Sequence, residues 1–175
     1  MSATASPKVR PARAPVPALP PFEALDRTHR EVMQVLGRFE RLLAHIDESG
    51  ADAVARASAA EIAAFFNGHA REHHAEEERL VFPGLLASGN APLVQHVLRL
   101  QQDHGWLEED WLELEPQIDA IARGYNWYDL NMLRAALPIF TALYQDHIAL
   151  EESLIYPEAK RRQAELDAGA RQRAS

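Results

Sequence analysis

His73-His-Ala-Glu-Glu-Glu-Arg-Leu-Val-Phe-Pro83 reads against His147-Ile-Ala-Leu-Glu-Glu-Ser-Leu-Ile-Tyr-Pro157. Both stretches run His, three residues, Glu-Glu, two residues, an aliphatic, an aromatic and Pro. The aromatic-proline pair fixes the register, so His73 matches His147 and Glu77 matches Glu151. The neighbours do not match, because His74 stands opposite Ile148 and Glu76 opposite Leu150. A generic acidic surface would not keep only these positions.

The correspondence extends upstream. His29 lies 44 residues before His73, and His104 lies 43 before His147. Similarity at a fixed period is a sign of duplicated architecture. The chain therefore reads as two copies of a helical hairpin, each with one His on its first helix and His-x3-Glu on its second.

The surrounding pattern supplies those helices. The first is expected from about Phe22 to Ile46, with Leu25, Val32, Leu36, Phe39 and Leu43 on one stripe. A break at Ser49-Gly50 follows. The second is helical from Ala53 or from the capping box Ser58-x-x-Glu61, and runs to about Val81, before Pro83. The third opens at Asn90-Ala91-Pro92 and stops at Gly124, with a bend expected at Pro116. The fourth starts near Asp129 and passes Glu165, with kinks expected at Pro138 and Pro157. No alternating strand pattern is present. The expected class is all-α: an up-down-up-down four-helix bundle of two duplicated hairpins, since short connections favour antiparallel neighbours. Residues 1–21 hold six of the eleven prolines and read as an extended or disordered tail. The bundle is expected over 22–168, with a flexible C-terminus at 169–175.

Helix geometry turns the repeat into chemistry. Residues i and i+4 differ by about 40° in direction and about 6 Å in rise, so each His of a His-x3-Glu pair points the same way as its Glu. The candidate metal set is His29, His73, Glu77, His104, His147 and Glu151. Four imidazoles and two carboxylates suit iron, zinc or manganese and suit calcium poorly. Two metals bridged by both carboxylates would each receive two His nitrogens and one oxygen from each Glu. A bridging oxo or hydroxo makes five donors, and one position stays open on each six-coordinate metal. Unpaired, these groups would be costly inside a bundle, and a metal removes that cost.

Other residues take quieter roles in this reading. Glu78 and Glu152, at i+5, should point into solvent. His45, His74 and His96 should lie on the surface, and His69 at the rim of the site. Tyr144 should be core, and Glu108 solvated or beside the His104 face. Trp106, Trp111, Phe65, Phe66, Phe82 and Tyr156 should pack. The Asp of each Gln-Asp-His triplet, Asp103 and Asp146, has no assigned role.

Composition narrows the function. The formal net charge of −8 argues against a nucleic-acid backbone as partner. The absence of cysteine excludes disulfides, thiolate zinc and cysteine nucleophiles. No apolar run approaches a membrane span, and no secretory signal is evident, so a soluble cytoplasmic protein is expected. No His has Glu three residues before it, as a ferritin-like site needs. Phosphate loops and serine-hydrolase elbows are also missing.

With both helix-one histidines and both His-x3-Glu-Glu…aromatic-Pro stretches in place, the chain resembles the hemerythrin-like family, the HHE cation-binding domain, over about Asp26 to Pro157. The resemblance implies a left-handed four-helix bundle around a non-heme di-iron centre, two Fe ions bridged by carboxylates, with the same six residues as ligands. Two departures separate it from the oxygen-carrying members. Leu100 and Glu108 flank His104 where those have His-x3-His, and His147-x3-Glu151 replaces His-x4-Asp. The four-His, two-Glu pattern looks more like the iron-centre repair and stress-response branch. The resemblance implies binding or sensing of a small oxidant: dioxygen, nitric oxide or peroxide. The alternatives are a di-iron enzyme for peroxide or nitric oxide detoxification or iron-centre repair, and a structural bundle with zinc or no metal.

Overall fold

The computed structural model describes residues 22–174 and is helical nearly throughout, with no strand among them. The tail expected over 1–21 lies outside the described residues. Four helical rods follow one another: α1 (Phe22–Ser49), α2 (53–86), α3 (Ala91–Arg123) and α4 (130–174).

The breaks have local causes. Gly50 and Gly124 close α1 and α3 at φ 74° and 75°, backbone that favours glycine. Asn90 caps α3 through Leu93 N–H, and Asp129 caps α4 through Asn131 and Met132 N–H. The start of α2 differs from the capping-box alternative: the cap is Asp52, whose carboxylate accepts from Ala55 N–H, and Ser58 lies inside the helix. Its end differs too. The helix continues through Pro83 to Leu86, because π-helical turns at Glu77–Val81 absorb the proline. In that wider turn Phe82 N–H bonds to Glu77 C=O. An equivalent turn, Glu151–Ile155, precedes Pro157, with Tyr156 N–H on Glu151 C=O. A third π turn spans Phe66–Ala70. The last rod runs unbroken through Ala174, with no boundary at 168.

Each rod packs against two others in antiparallel sense. Phe22 meets Tyr156 while Asp47 meets Arg134, which sets α1 against α4. Glu31 meets His69 while Arg38 meets Glu61, setting α1 against α2. Asn67 meets Glu115 while Glu78 meets His104, setting α2 against α3. His104 meets His147 while Gln117 meets Asp129, setting α3 against α4.

The core falls into two apolar clusters. One holds Leu36, Phe39, Ile62, Phe66, Trp111, Ile118, Phe140 and Tyr144 with their neighbours. The smaller holds Phe22, Leu25, Phe82, Leu100, Ile155 and Tyr156 with theirs. Each fully buried Leu, Ile or Phe contributes roughly 1.5–3 kcal/mol. Between the clusters the helical stripes change chemistry. Leu25 and Val32 bracket His29 on α1, and Leu100 and Leu107 bracket His104 on α3. A polar layer is thus held between two apolar ones, at the level of the paired motifs.

Candidate metal centre

All six sequence-derived candidates are buried and meet in this layer. Glu77 and Glu151 have no exposed surface at all. Glu77 lies between two histidines: its Oε1 is 3.5 Å from His73 Nε2 and its Oε2 is 3.5 Å from His104 Nε2. Glu151 does the same with Oε2, 3.2 Å from His29 Nε2 and 3.3 Å from His147 Nε2. Two groups able to hold a metal ion result, His29–His73–Glu77–Glu151 and His104–His147–Glu77–Glu151, and both carboxylates belong to both.

The donor set fits metal ions by an independent criterion. Most buried side-chain nitrogens and oxygens without a hydrogen-bond partner among the described residues belong to it: both nitrogens of His73 and His147, His104 Nε2, Glu77 Oε2 and both oxygens of Glu151. A buried polar atom left unpaired costs about 1–3 kcal/mol. Several such atoms facing one another form groups able to hold a metal ion.

Electrostatics in the metal-free protein points the same way. Burial, then the charge of Glu77, pushes the Glu151 carboxyl up to about 8. Burial also works against ionisation of Glu77, but the nearby imidazoles of His104 and His73 and the Tyr156 hydroxyl outweigh it and hold Glu77 below the carboxylate range. Two carboxylates this close share a proton, and Glu151 is the one that carries it. Burial drives His73 down to about 4, leaving a neutral ring with a free lone pair. Burial also opposes a charge on His29, but Glu151 and Glu152 outweigh it and hold that ring above its ordinary value.

Several residues correct their sequence-based expectation. Glu78 and Glu152 do not simply face solvent. Glu152 Oε1 lies 3.0 Å from His29 Nδ1, and Glu78 Oε1 lies 2.9 Å from His104 Nδ1. Each is half-exposed, yet each anchors the outer nitrogen of a helix-one His and aims its Nε2 inward, as carboxylates do for metal-ligating histidines. Position i+5 reaches the neighbouring helix here as well as water. The Glu-Glu doublet kept in both motifs was the signal for them.

Tyr156 is more than packing. Its hydroxyl donates to Glu77 Oε1 and lies 3.1 Å from His29 Nε2, with its ring stacked on His29. Its counterpart Phe82 stacks on His104 without a hydroxyl. The π turns bond the backbone N–H of each aromatic to the C=O of the glutamate five residues earlier.

Asp103 is buried, with Oδ2 3.8 Å from His147 Nδ1 and 3.6 Å from Arg99 Nε. Nothing in the repeat marks it, since Thr28 stands at the matching place. His74 is not a surface residue: its half-buried ring stacks on His104 at 4.1 Å. Trp106, expected to pack, is 49 % exposed. Glu108 pairs with Arg71 at the surface, His69 is 70 % exposed near Glu31, and Tyr144 is core. Glu76 faces the outer groove, not the layer.

Comparison with known proteins adds three findings. The family described as hemerythrin HHE cation binding domain matches residues 21–159. An uncharacterized protein of Haemophilus influenzae is 29 % identical over 136 residues, covering 77 % of this chain and 76 % of that protein. No solved structure matches the chain.

Proposed function

The chain belongs to the hemerythrin HHE cation-binding domain family, and from that premise we propose that it holds two iron ions and binds a small oxidant such as dioxygen, nitric oxide or peroxide. One observation carries the reading: two four-residue groups share the same two fully buried carboxylates. His29 and His73 would hold one ion, His104 and His147 the other, and Glu77 and Glu151 would bridge them. The halves carry the same donors, which agrees with a bundle built from two duplicated hairpins. Four nitrogens and two carboxylates suit iron, with zinc or manganese as the competing occupants. A bound iron pair would supply an exchangeable coordination position and accessible redox states.

The protein's own residues do the rest. Glu78 and Glu152 fix the ring orientation of His104 and His29. Asp103 faces the outer nitrogen of His147. The two apolar clusters exclude bulk water from above and below the layer. Tyr156 offers one hydroxyl proton beside Glu77.

Binding and turnover are separated by adding dioxygen, nitric oxide or peroxide to the anaerobic iron-loaded protein, with and without an electron donor. A ligand-dependent optical spectrum with no consumption of the added molecule is the expected result. Sustained consumption would make the protein a detoxifying enzyme on the same centre. No spectral response to any of the three ligands would reject the oxidant reading and leave a structural bundle.

A further inference from the structure

The six candidate donors are buried between two apolar clusters, so a metal ion needs a way in. A groove of about 580 Å³ between α1 and α2 arrives at one of them, because His73 lines it. That residue is 5 % exposed, and neither of its ring nitrogens has a hydrogen-bond partner. A buried, unpartnered donor thus forms part of the wall of an open groove.

The same wall carries further donors. His69, Glu72, His73 and Glu76 follow at i, i+3, i+4 and i+7 on α2, which puts them on one helix face. Their exposure falls toward the centre: His69 and Glu72 are exposed, Glu76 is half-buried and His73 is buried. Glu31 stands opposite on α1, with Oε2 3.9 Å from His69 Nδ1. Arg27 and Arg79 also line the groove and oppose a cation there, but the three carboxylates outnumber them.

The duplicated sequence supplies an internal comparison. The six candidate ligands recur in both halves. At the places that match Glu31, His69 and Glu76 stand Trp106, Leu143 and Leu150, and only Glu72 has an acidic counterpart, Asp146. The groove donors are therefore a feature of one half, unlike the residues of the centre itself.

We propose that this groove is the loading path for divalent metal ions, with Glu31, His69, Glu72 and Glu76 as successive donors between bulk water and His73. The inference rests on the metal-centre reading above. The carboxylates attract the ion, and together with His69 they replace its water a few molecules at a time. They belong to the path and not to the final ligand set. They speed loading and unloading alike, and the number of ions held at the end does not depend on them.

The test is the rate of iron uptake. Metal-free protein is mixed anaerobically with iron(II), the reaction is stopped at set times with a chelator that captures free ion, and the retained iron is counted. The parent is compared with the triple variant Glu31→Gln/Glu72→Gln/Glu76→Gln, with Arg79→Gln, and with Asp146→Asn, which removes a carboxylate at the matching place in the other half. The triple variant is expected to load about tenfold more slowly at low salt, and its deficit to shrink as salt rises from about 0.01 M to 1 M. Arg79→Gln should load about threefold faster, Asp146→Asn at the parent's rate, and all should reach the parent's final iron content. Circular dichroism checks the fold of each, and Glu76→Gln alone, expected to load about threefold more slowly, serves where the triple variant does not fold. Opposite signs for the glutamate and arginine changes are the signature of an electrostatic path. Equal rates in the parent, the glutamate variants and Arg79→Gln would overturn the proposal, as would slowing by Asp146→Asn as large as that by Glu76→Gln. A folded triple variant with a lower final iron content would overturn it too, by making these residues ligands. A parent that takes up no iron would overturn the metal-centre reading, and this inference with it.

Discussion

At the scale of single residues, the centre depends on side chains that hold the outer nitrogens of its histidines. Glu78 and Glu152 are half-exposed and look dispensable from their surface area, yet each lies within hydrogen-bonding distance of a buried His Nδ1. Glu78→Ala and Glu152→Ala should each weaken metal affinity about 10–100-fold in a chelator competition, as loss of such outer partners generally does. Glu72→Ala, on the same helix but facing the groove, should change it little. Equal affinity in all three variants would remove the anchoring role. The inner positions were legible in the sequence because i,i+4 spacing is a property of one helix: His73 with Glu77, His147 with Glu151. The roles of Tyr156, Asp103 and His74 were not, because their partners lie on other helices. Tyr156 reaches Glu77 on α2 and Asp103 reaches His147 on α4, and neither contact has a periodicity to betray it.

At the scale of elements, helix ends and π turns set the register that aims these side chains. Asn90, Gly124 and Asp129 acted where the sequence placed them, since each satisfies an end by its own local chemistry. Pro83 did not end its helix, and the last helix runs past Pro157 as its pattern implied. A proline needs no hydrogen-bond acceptor and clashes with an α-helical carbonyl, and a π turn upstream relieves both demands without breaking the rod. The choice of cap on α2 gives a direct check. Asp52→Ala should lower the thermal midpoint by about 2–4 °C, while Ser58→Ala, inside the helix, should leave it nearly unchanged. The reverse order would restore the capping-box start. Because Asp52 also meets His45, His45→Ala serves as the control for that ion pair.

At the scale of the whole molecule, a buried charged layer between two apolar clusters makes stability depend on the metal and on pH. In the metal-free protein the Glu151 carboxyl sits at about 8 against an ordinary 4.5. A raised carboxyl favours the folded state fully below 4.5, and this contribution is lost as pH rises from 4.5 through about 8. Glu151→Gln imitates the protonated carboxyl at every pH. Metal-free Glu151→Gln should therefore melt several degrees above the metal-free parent at pH 8.5, and the gap should close near pH 4.5. A gap that does not vary with pH would contradict the shared-proton account. Among the described residues no helix is long and apolar enough to cross a membrane. The antiparallel arrangement was legible from the doubled motif and the short connections. The division of the core into two clusters was not, because it arises only when four separate stripes change from aliphatic to polar at one level.

The central claim is that Glu77 and Glu151 serve two metal positions at once. The most direct measurement is the iron content of the chain after anaerobic reconstitution, for the parent, Glu77→Gln and Glu151→Gln, with an optical spectrum of each before and after air. The account predicts about two irons in the parent, a new near-ultraviolet or visible band on oxidation, and loss of both metals in either variant. Zinc or no metal in the parent, or variants that keep both irons, would contradict it.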